Sequence, residues 1–170
     1  MIDLDTKTHH FFKILESLEI SYQNYTHEPV FTVEESKHID EMIPGAHCKS
    51  LLLTNKKEAY FLIVMLGEDR LDIKALSQAL GKGPLSFVSA EKMKALIDLE
   101  PGHVTPFGVM ADKENHVKVV LQKALTEYEL INFHPLRNDM TTTIKTTDLL
   151  KFLRHYNHVP HIFEISLKKD

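Results

Sequence analysis

The sequence predicts an α+β fold, a single domain in which a mixed, largely antiparallel sheet is covered by packed helices. Three observations lead there. Segments that alternate apolar and polar with period two are interleaved with segments of helical spacing along all 170 residues. Their order lacks the strict strand–helix–strand rhythm of a parallel sheet, and several strand-like segments are neighbours joined by short turns. A chain of this length is most simply one domain, residues 1–170, able to bury a core without disulfides or metals. Strand order is not contained in these patterns.

The elements follow in chain order. "TKTHHFFKILESLEI" sets Phe11, Ile14, Leu15 and Leu18 at helical spacing, which gives an amphipathic first helix. "ISYQNYTH" alternates like a half-buried strand. In "TVEE", Thr32 and Glu35 form a capping box that starts a short helix through about Ile39. "CKSLLLTN" and "AYFLIVML" are two strands joined by a tight turn at Asn55 to Glu58. "DIKALSQALG" is a helix ended by Gly81, "LSFV" a short strand, and "SAEKMKALI" a helix capped by Ser89. "HVKVVLQ", "YELINFH" and "TTTIK" are strands, "TTDLLKFLRHY" is a helix capped by Thr146, and "HIFEISL" closes the chain with clean alternation.

Composition narrows the function. Hydrophobic residues make up 43% and charged residues 26%, as in ordinary globular proteins. The formal charge of -4 argues against life on duplex DNA, whose binders show a basic footprint, while leaving room for a local cleft that grips a few nucleotides. The lone Cys48 excludes an internal disulfide and fits a reducing compartment. "MIDLDTKTHH" has no secretory character, and the longest apolar run, residues 59–66, is far short of the roughly 20 residues of a membrane helix. A cytoplasmic protein with no membrane association is the expectation.

Two stretches concentrate backbone restriction. "PGHVTPFG", residues 101–108, holds two of the seven prolines and two of the six glycines. Gly102 permits positive φ and close approach of another group, and Thr105 is pushed to an extended conformation by Pro106. The expected result is a stiff loop with the amides of Gly102 and His103 exposed to a carbonyl or carboxylate; the alternative is a rigid connection. In "FHPLRN", His134 ends an apolar strand before Pro135, where it either positions water or satisfies a loop carbonyl. Asn138 either serves the same site or stitches a turn. Lys49 shares a strand face with His47, Leu51 and Leu53, so it either snorkels to solvent or meets an anion.

Three other arrangements lack the geometry for chemistry. "HYNHVPH" spaces His155, His158 and His161 by three, but Pro160 breaks the helix that would converge them on a metal. Cys48 has no base on its own face and reads as a structural thiol. "GKGP" lacks phosphate-loop spacing.

The ordered set "TVEES", "KSLLL", "PGHVTPFG", "FHPLRN" and "HVPHIFEI" resembles the YbaK-like family of prolyl-tRNA editing domains, in its free-standing branch. The resemblance spans about Phe11 to Ile165. The family's G-x-x-x-P signature falls on Gly102 and Pro106, its strand lysine on Lys49 and its histidine on His134. One position departs: where many relatives carry Asp, this chain has Gln122.

The resemblance implies hydrolysis of a wrongly attached amino acid from the tRNA acceptor end, with alanine on proline tRNA as the expected substrate. It implies no cofactor and no metal, and leaves prolyl-tRNA synthetase open as a delivery partner. Lys49, Gly102 and His134 become the expected catalytic residues. Thr32, His103, Thr105, Pro106 and Asn138 become the substrate-binding ones. A non-catalytic module that senses a small amino acid or nucleotide would use the same pocket.

Overall fold

The computed structural model describes residues 6–30 and 33–169. Among the described residues, eight strands form one sheet and five α-helices pack on its two faces. The elements are α1 (Thr6–Ser17), β1 (Gln23–Thr26), α2 (Val33–Asp40), β2 (Ala46–Thr54), β3 (Tyr60–Leu66), α3 (Ile73–Leu80) and β4 (Ser86–Phe87). There follow α4 (Ala90–Ile97), β5 (Val117–Gln122), β6 (Leu130–Phe133), β7 (Met140–Lys145), α5 (Thr146–His155) and β8 (His161–Phe163). A 3-10 helix spans Pro106–Ala111 and a second spans Lys123–Glu127.

The strand order is β1-β7-β6-β2-β3-β5-β8, with β4 paired to β2 off this path. Pairings β1–β7, β2–β3, β2–β4 and β6–β7 are antiparallel, whereas β2–β6, β3–β5 and β5–β8 are parallel. The sheet is mixed, as the unalternating sequence of β3 suggests. "YFLIVML" is buried at every position, because a strand covered on both faces needs no polar side.

Alternate residues of the hairpin feed two cores. Leu52, Leu62, Val64 and Leu66 join Phe11, Phe107 and Phe152 beneath α1, α4 and α5. Leu53, Phe61, Ile63 and Met65 join Leu71, Leu76, Leu85, Val120 and Ile165 beneath α3. Phe107 packs against Phe11, Phe133 and Phe152, with ring centroids 4.3, 5.6 and 5.3 Å away.

Local chemistry sets several element ends. The Asn55 side-chain oxygen accepts from Lys57 N at 3.0 Å and Ala59 N at 2.9 Å, which closes the β2–β3 turn. Ser89 accepts from Lys92 N at 3.1 Å as the cap of α4, and Gly81 ends α3 with φ 65°. Two expected ends differ. The cap residue of α5 is Lys145, and Thr146 is already helical: its hydroxyl donates to the Tyr128 carbonyl instead. The last strand stops at Phe163, because Ser166 O and Lys168 N bond to Asp72 N and Arg70 O rather than continuing along β5.

One irregularity positions the site. On one flank of β2, β6 pairs only at Ala46 and His47, and β4 pairs only at Leu53 and Thr54. Leu52 O accepts from Val88 N on that flank, while His47 O accepts from Gly67 N on the β3 side. Main-chain groups alternate sides along a strand, so Ser50 turns its N–H and C=O toward the flank that β6 and β4 leave open. The sheet splits there.

Candidate active site

A pocket of about 190 Å3 occupies the split, lined by Cys48, Lys49, Ser50, Gly102, Val104, Phe133 and His134. Three segments distant in sequence meet there. β2 brings Lys49, the loop after α4 brings Gly102, and the end of β6 brings His134. The sequence reading anticipated these three. Cys48, read from the sequence as a structural thiol, lines the pocket too, and the neighbours Ser50, Val104 and Phe133 were not singled out, although each lies within two residues of one that was.

The Lys49 ammonium donates a hydrogen bond to the Asp69 backbone carbonyl. That is a third outcome beside snorkelling and anion pairing, and it leaves two N–H donors for a ligand. Burial lowers the Lys49 pKa from its ordinary value, the Asp69 carboxylate opposes the shift, and Arg70 adds to it. Asp69 is itself held in place. Gln122 Nε2 donates to Asp69 Oδ2 at 2.8 Å while Gln122 Oε1 accepts from Leu66 N at 2.8 Å.

His134 follows β6 directly, and its Nδ1 lies 3.1 Å from the Met140 carbonyl. A carbonyl only accepts, so Nδ1 carries the proton, and in the neutral ring Nε2 is left as an acceptor. Burial lowers the His134 pKa; the Met140 bond and Asp40 partly oppose this, and His27 and His103 reinforce it. Leu136, two residues on, is buried with φ 70°, a strained conformation for a branched side chain.

Gly102 has φ 91°, one of the two roles the sequence left open for it, and a Cβ there would meet nothing within 4 Å. Glycine is therefore needed for conformation rather than for space. Its amide bonds to no described residue. The His103 amide, expected to be exposed, instead donates to Glu100 O at 3.0 Å and closes a turn. His103 is half-buried outside the pocket lining, close enough for its charge to act on His134.

Thr105 is extended at φ -155° and ψ 151° ahead of Pro106, which opens the 3-10 helix. Both are buried behind the pocket wall, and the Thr105 hydroxyl has no hydrogen-bond partner. The Ser50 hydroxyl is buried and unpartnered as well. Asn138 stitches a loop, donating to Val30 O at 3.3 Å. Thr32 lies outside the described residues.

Cys48 is inert: burial pushes its thiol up to about 12. Among the described residues, no group of three His, Cys, Asp or Glu side chains converges on a metal position. His158 of "HYNHVPH" is instead committed to Asp112, with Nε2 2.8 Å from Oδ2.

The model of the family described as "Aminoacyl-tRNA editing domain" matches residues 27–152. The prolyl-tRNA editing protein ProX of Acetoanaerobium sticklandii is 32% identical over 154 residues, 90% of this chain and 93% of that protein. The prolyl-tRNA synthetase associated domain-containing protein 1 of Bos taurus is 33% identical over 153 residues, 87% of this chain and 89% of that one. A solved structure described as a candidate trans-editing enzyme for prolyl tRNA synthetase shares the fold, with TM-score 0.72 at 19% identity, covering 99% of this chain and 100% of its own.

Proposed function

The chain belongs to the aminoacyl-tRNA editing domain family, and from that premise we propose that it is a trans-acting deacylase that hydrolyses alanine from mischarged proline tRNA. The observation that carries the reading is the meeting of Lys49, Gly102 and His134 in one small pocket at the split in the sheet.

An aminoacyl ester is already reactive, so positioning and charge stabilisation suffice. Water adds to the ester carbonyl, the acyl C–O bond to the terminal ribose breaks, and the ribose oxygen leaves with a proton. Lys49 uses its free N–H donors on the terminal phosphate or the ester. The Gly102 amide faces the oxygen on which negative charge develops. His134, neutral with Nε2 as acceptor, orients the water or the neighbouring ribose hydroxyl. Thr105 and Pro106 stiffen the wall behind Gly102.

The wall also acts as a gauge. A pocket built for proline rejects the smaller alanine by only about 1–3 kcal/mol per methylene, whereas a second pocket too small for proline excludes it by steric clash. Val104 and Phe133 are the apolar walls that set this limit. Prolyl-tRNA synthetase is the partner from which the substrate would come, in the cytoplasm. The enzyme acts on a tRNA substrate, and among the described residues no helix is long and apolar enough to cross a membrane.

The test is hydrolysis of alanyl-tRNA(Pro), prolyl-tRNA(Pro) and cysteinyl-tRNA(Pro) by purified protein near neutral pH. Selective loss of alanine is expected. Loss of cysteine alone would keep the enzyme class and move the specificity; no hydrolysis of any of them by folded protein would sink the reading.

A further inference from the structure

We propose that the open flank of β2 continues from the pocket into a track for the single-stranded 3′ strand of the RNA substrate. On this track Phe87 stacks a base, and Lys56, Lys57 and Lys82 neutralise phosphates. The proposal depends on the deacylase reading and adds to it the face on which the nucleic acid lies.

β4 begins where the opening ends. Phe87 stands opposite Leu53, and Val88 N donates to Leu52 O at 3.1 Å, both on the flank that holds the pocket. From Ser50 to Leu53 is three residues, about 10 Å of strand. Residues opposed across a ladder project to the same face, so Phe87 shares the face that carries Lys49, Leu51 and Leu53. Phe87 is nonetheless 60% exposed, although Leu85 and Val88 beside it are buried. A large aromatic ring is held in solvent by a strand anchored on either side.

The cations gather at the next corner. Asn55 Nδ2 donates to Lys82 O at 2.8 Å, which ties the turn after β2 to the loop after α3. Lys56, Lys57 and Lys82 are therefore neighbours; all are exposed, and none makes an ion pair with a described residue. Lys92 lies 5.4 Å from the centroid of the Tyr60 ring, and Tyr60 pairs with Thr54 at the same end of the hairpin. Glu58 and Glu91 are the acidic residues of these segments, so the corner is positive in a chain of net charge -4.

An aromatic platform beside cations is how single strands are held without reading sequence, since every base has a face to stack and every nucleotide a phosphate to neutralise. The order along the flank is pocket, ring, lysines. It matches a strand whose esterified terminus enters the pocket while the preceding nucleotides run outward.

The test uses the full chain with Phe87→Ala and with Lys56→Glu/Lys57→Glu/Lys82→Glu. Each is assayed on alanyl-tRNA(Pro) and on the minimal ester 3′-O-alanyl-adenosine. The expected result is a loss of about tenfold in kcat/KM on the tRNA for either variant, with the minimal ester hydrolysed as by wild type. The log–log salt dependence of tRNA affinity should become shallower by about 2 in the triple variant, at roughly 0.7 per single-strand phosphate contact. Unchanged kcat/KM on the tRNA, or an equal loss on both substrates, would overturn the track. If wild type hydrolyses neither substrate, the deacylase reading fails and uncharged tRNA(Pro) decides: salt-sensitive binding weakened in the triple variant supports the track, and its absence overturns it.

Discussion

Gln122 Nε2 donates to Asp69 Oδ2 at 2.8 Å, and the carbonyl of that same Asp69 receives the Lys49 ammonium. A buried amide at the end of β5 thereby fixes the seat of a pocket lysine two strands away in the sheet and 73 residues away in sequence. Gln122→Ala removes the acceptor for the buried Leu66 amide as well as the donor to Asp69. It should cost about 1–3 kcal/mol in urea unfolding and lower kcat/KM on alanyl-tRNA(Pro) further than that stability loss alone explains. Normal kcat/KM in a folded Gln122→Ala protein would detach Asp69 from the positioning of Lys49.

Lys49→Ala should cut deacylation by at least about tenfold, equivalent to roughly 1.4 kcal/mol, while leaving the unfolding midpoint near that of wild type. The ammonium is charged below its pKa, which burial lowers from 10.5. A 15N or 13C titration of Lys49 should therefore show the proton leaving at lower pH than from the exposed lysines. A coincident titration would mean that the side chain is solvated.

His134 gives a pH signature of the same origin, burial of the cation, on the acidic side. Its folded pKa lies below the ordinary 6.5 because burial disfavours the imidazolium. Its contribution to stability is complete above about 6.5 and is lost as pH falls through the folded value. Stability and deacylation should both decline on that acidic limb. In His134→Gln, which keeps an amide donor for the Met140 carbonyl, the limb should flatten; a limb of unchanged shape would assign the titration to another group.

The buried pair of Asp112 and His158 serves the fold alone. Asp112 also accepts from the amides of His116 and Val117 at 3.0 and 2.8 Å. Burial by itself would raise the Asp112 pKa, but the His158 bond and these amides outweigh it and hold it below 3.8. Its stabilisation is present above about 3.8 and lost as pH falls through the folded value. His158→Ala leaves a carboxylate buried without its partner and should cost about 3–5 kcal/mol, with kcat unchanged in the protein that remains folded. A loss of kcat there would tie this pair to the pocket.

The elements that local chemistry defines were legible. The Asn55 turn, the Ser89 cap, the Gly81 stop and the positive φ of Gly102 each follow from a residue type at its own position. Pairing was not. Ala46 meets Ile131 and Tyr60 meets Val117, contacts set by packing across the sheet that leave no mark in local periodicity. The same holds for Asp112 and His158, each an ordinary polar residue until the fold joins them. The His103 amide was misread because its partner, Glu100 O, lies in a turn whose geometry depends on the preceding helix end. Thr146 was misplaced by one residue because its hydroxyl found the Tyr128 carbonyl.

An unpaired stretch of strand is ordinarily a liability, since its free main-chain groups can template the addition of a foreign chain and seed aggregation. β2 avoids this by being an interior strand at both ends and an edge only in its middle. A passing β-strand cannot dock lengthwise against so short an opening stoppered by β6 and β4. The protein thus keeps reactive main-chain polarity available to a small guest while denying it to other polypeptides.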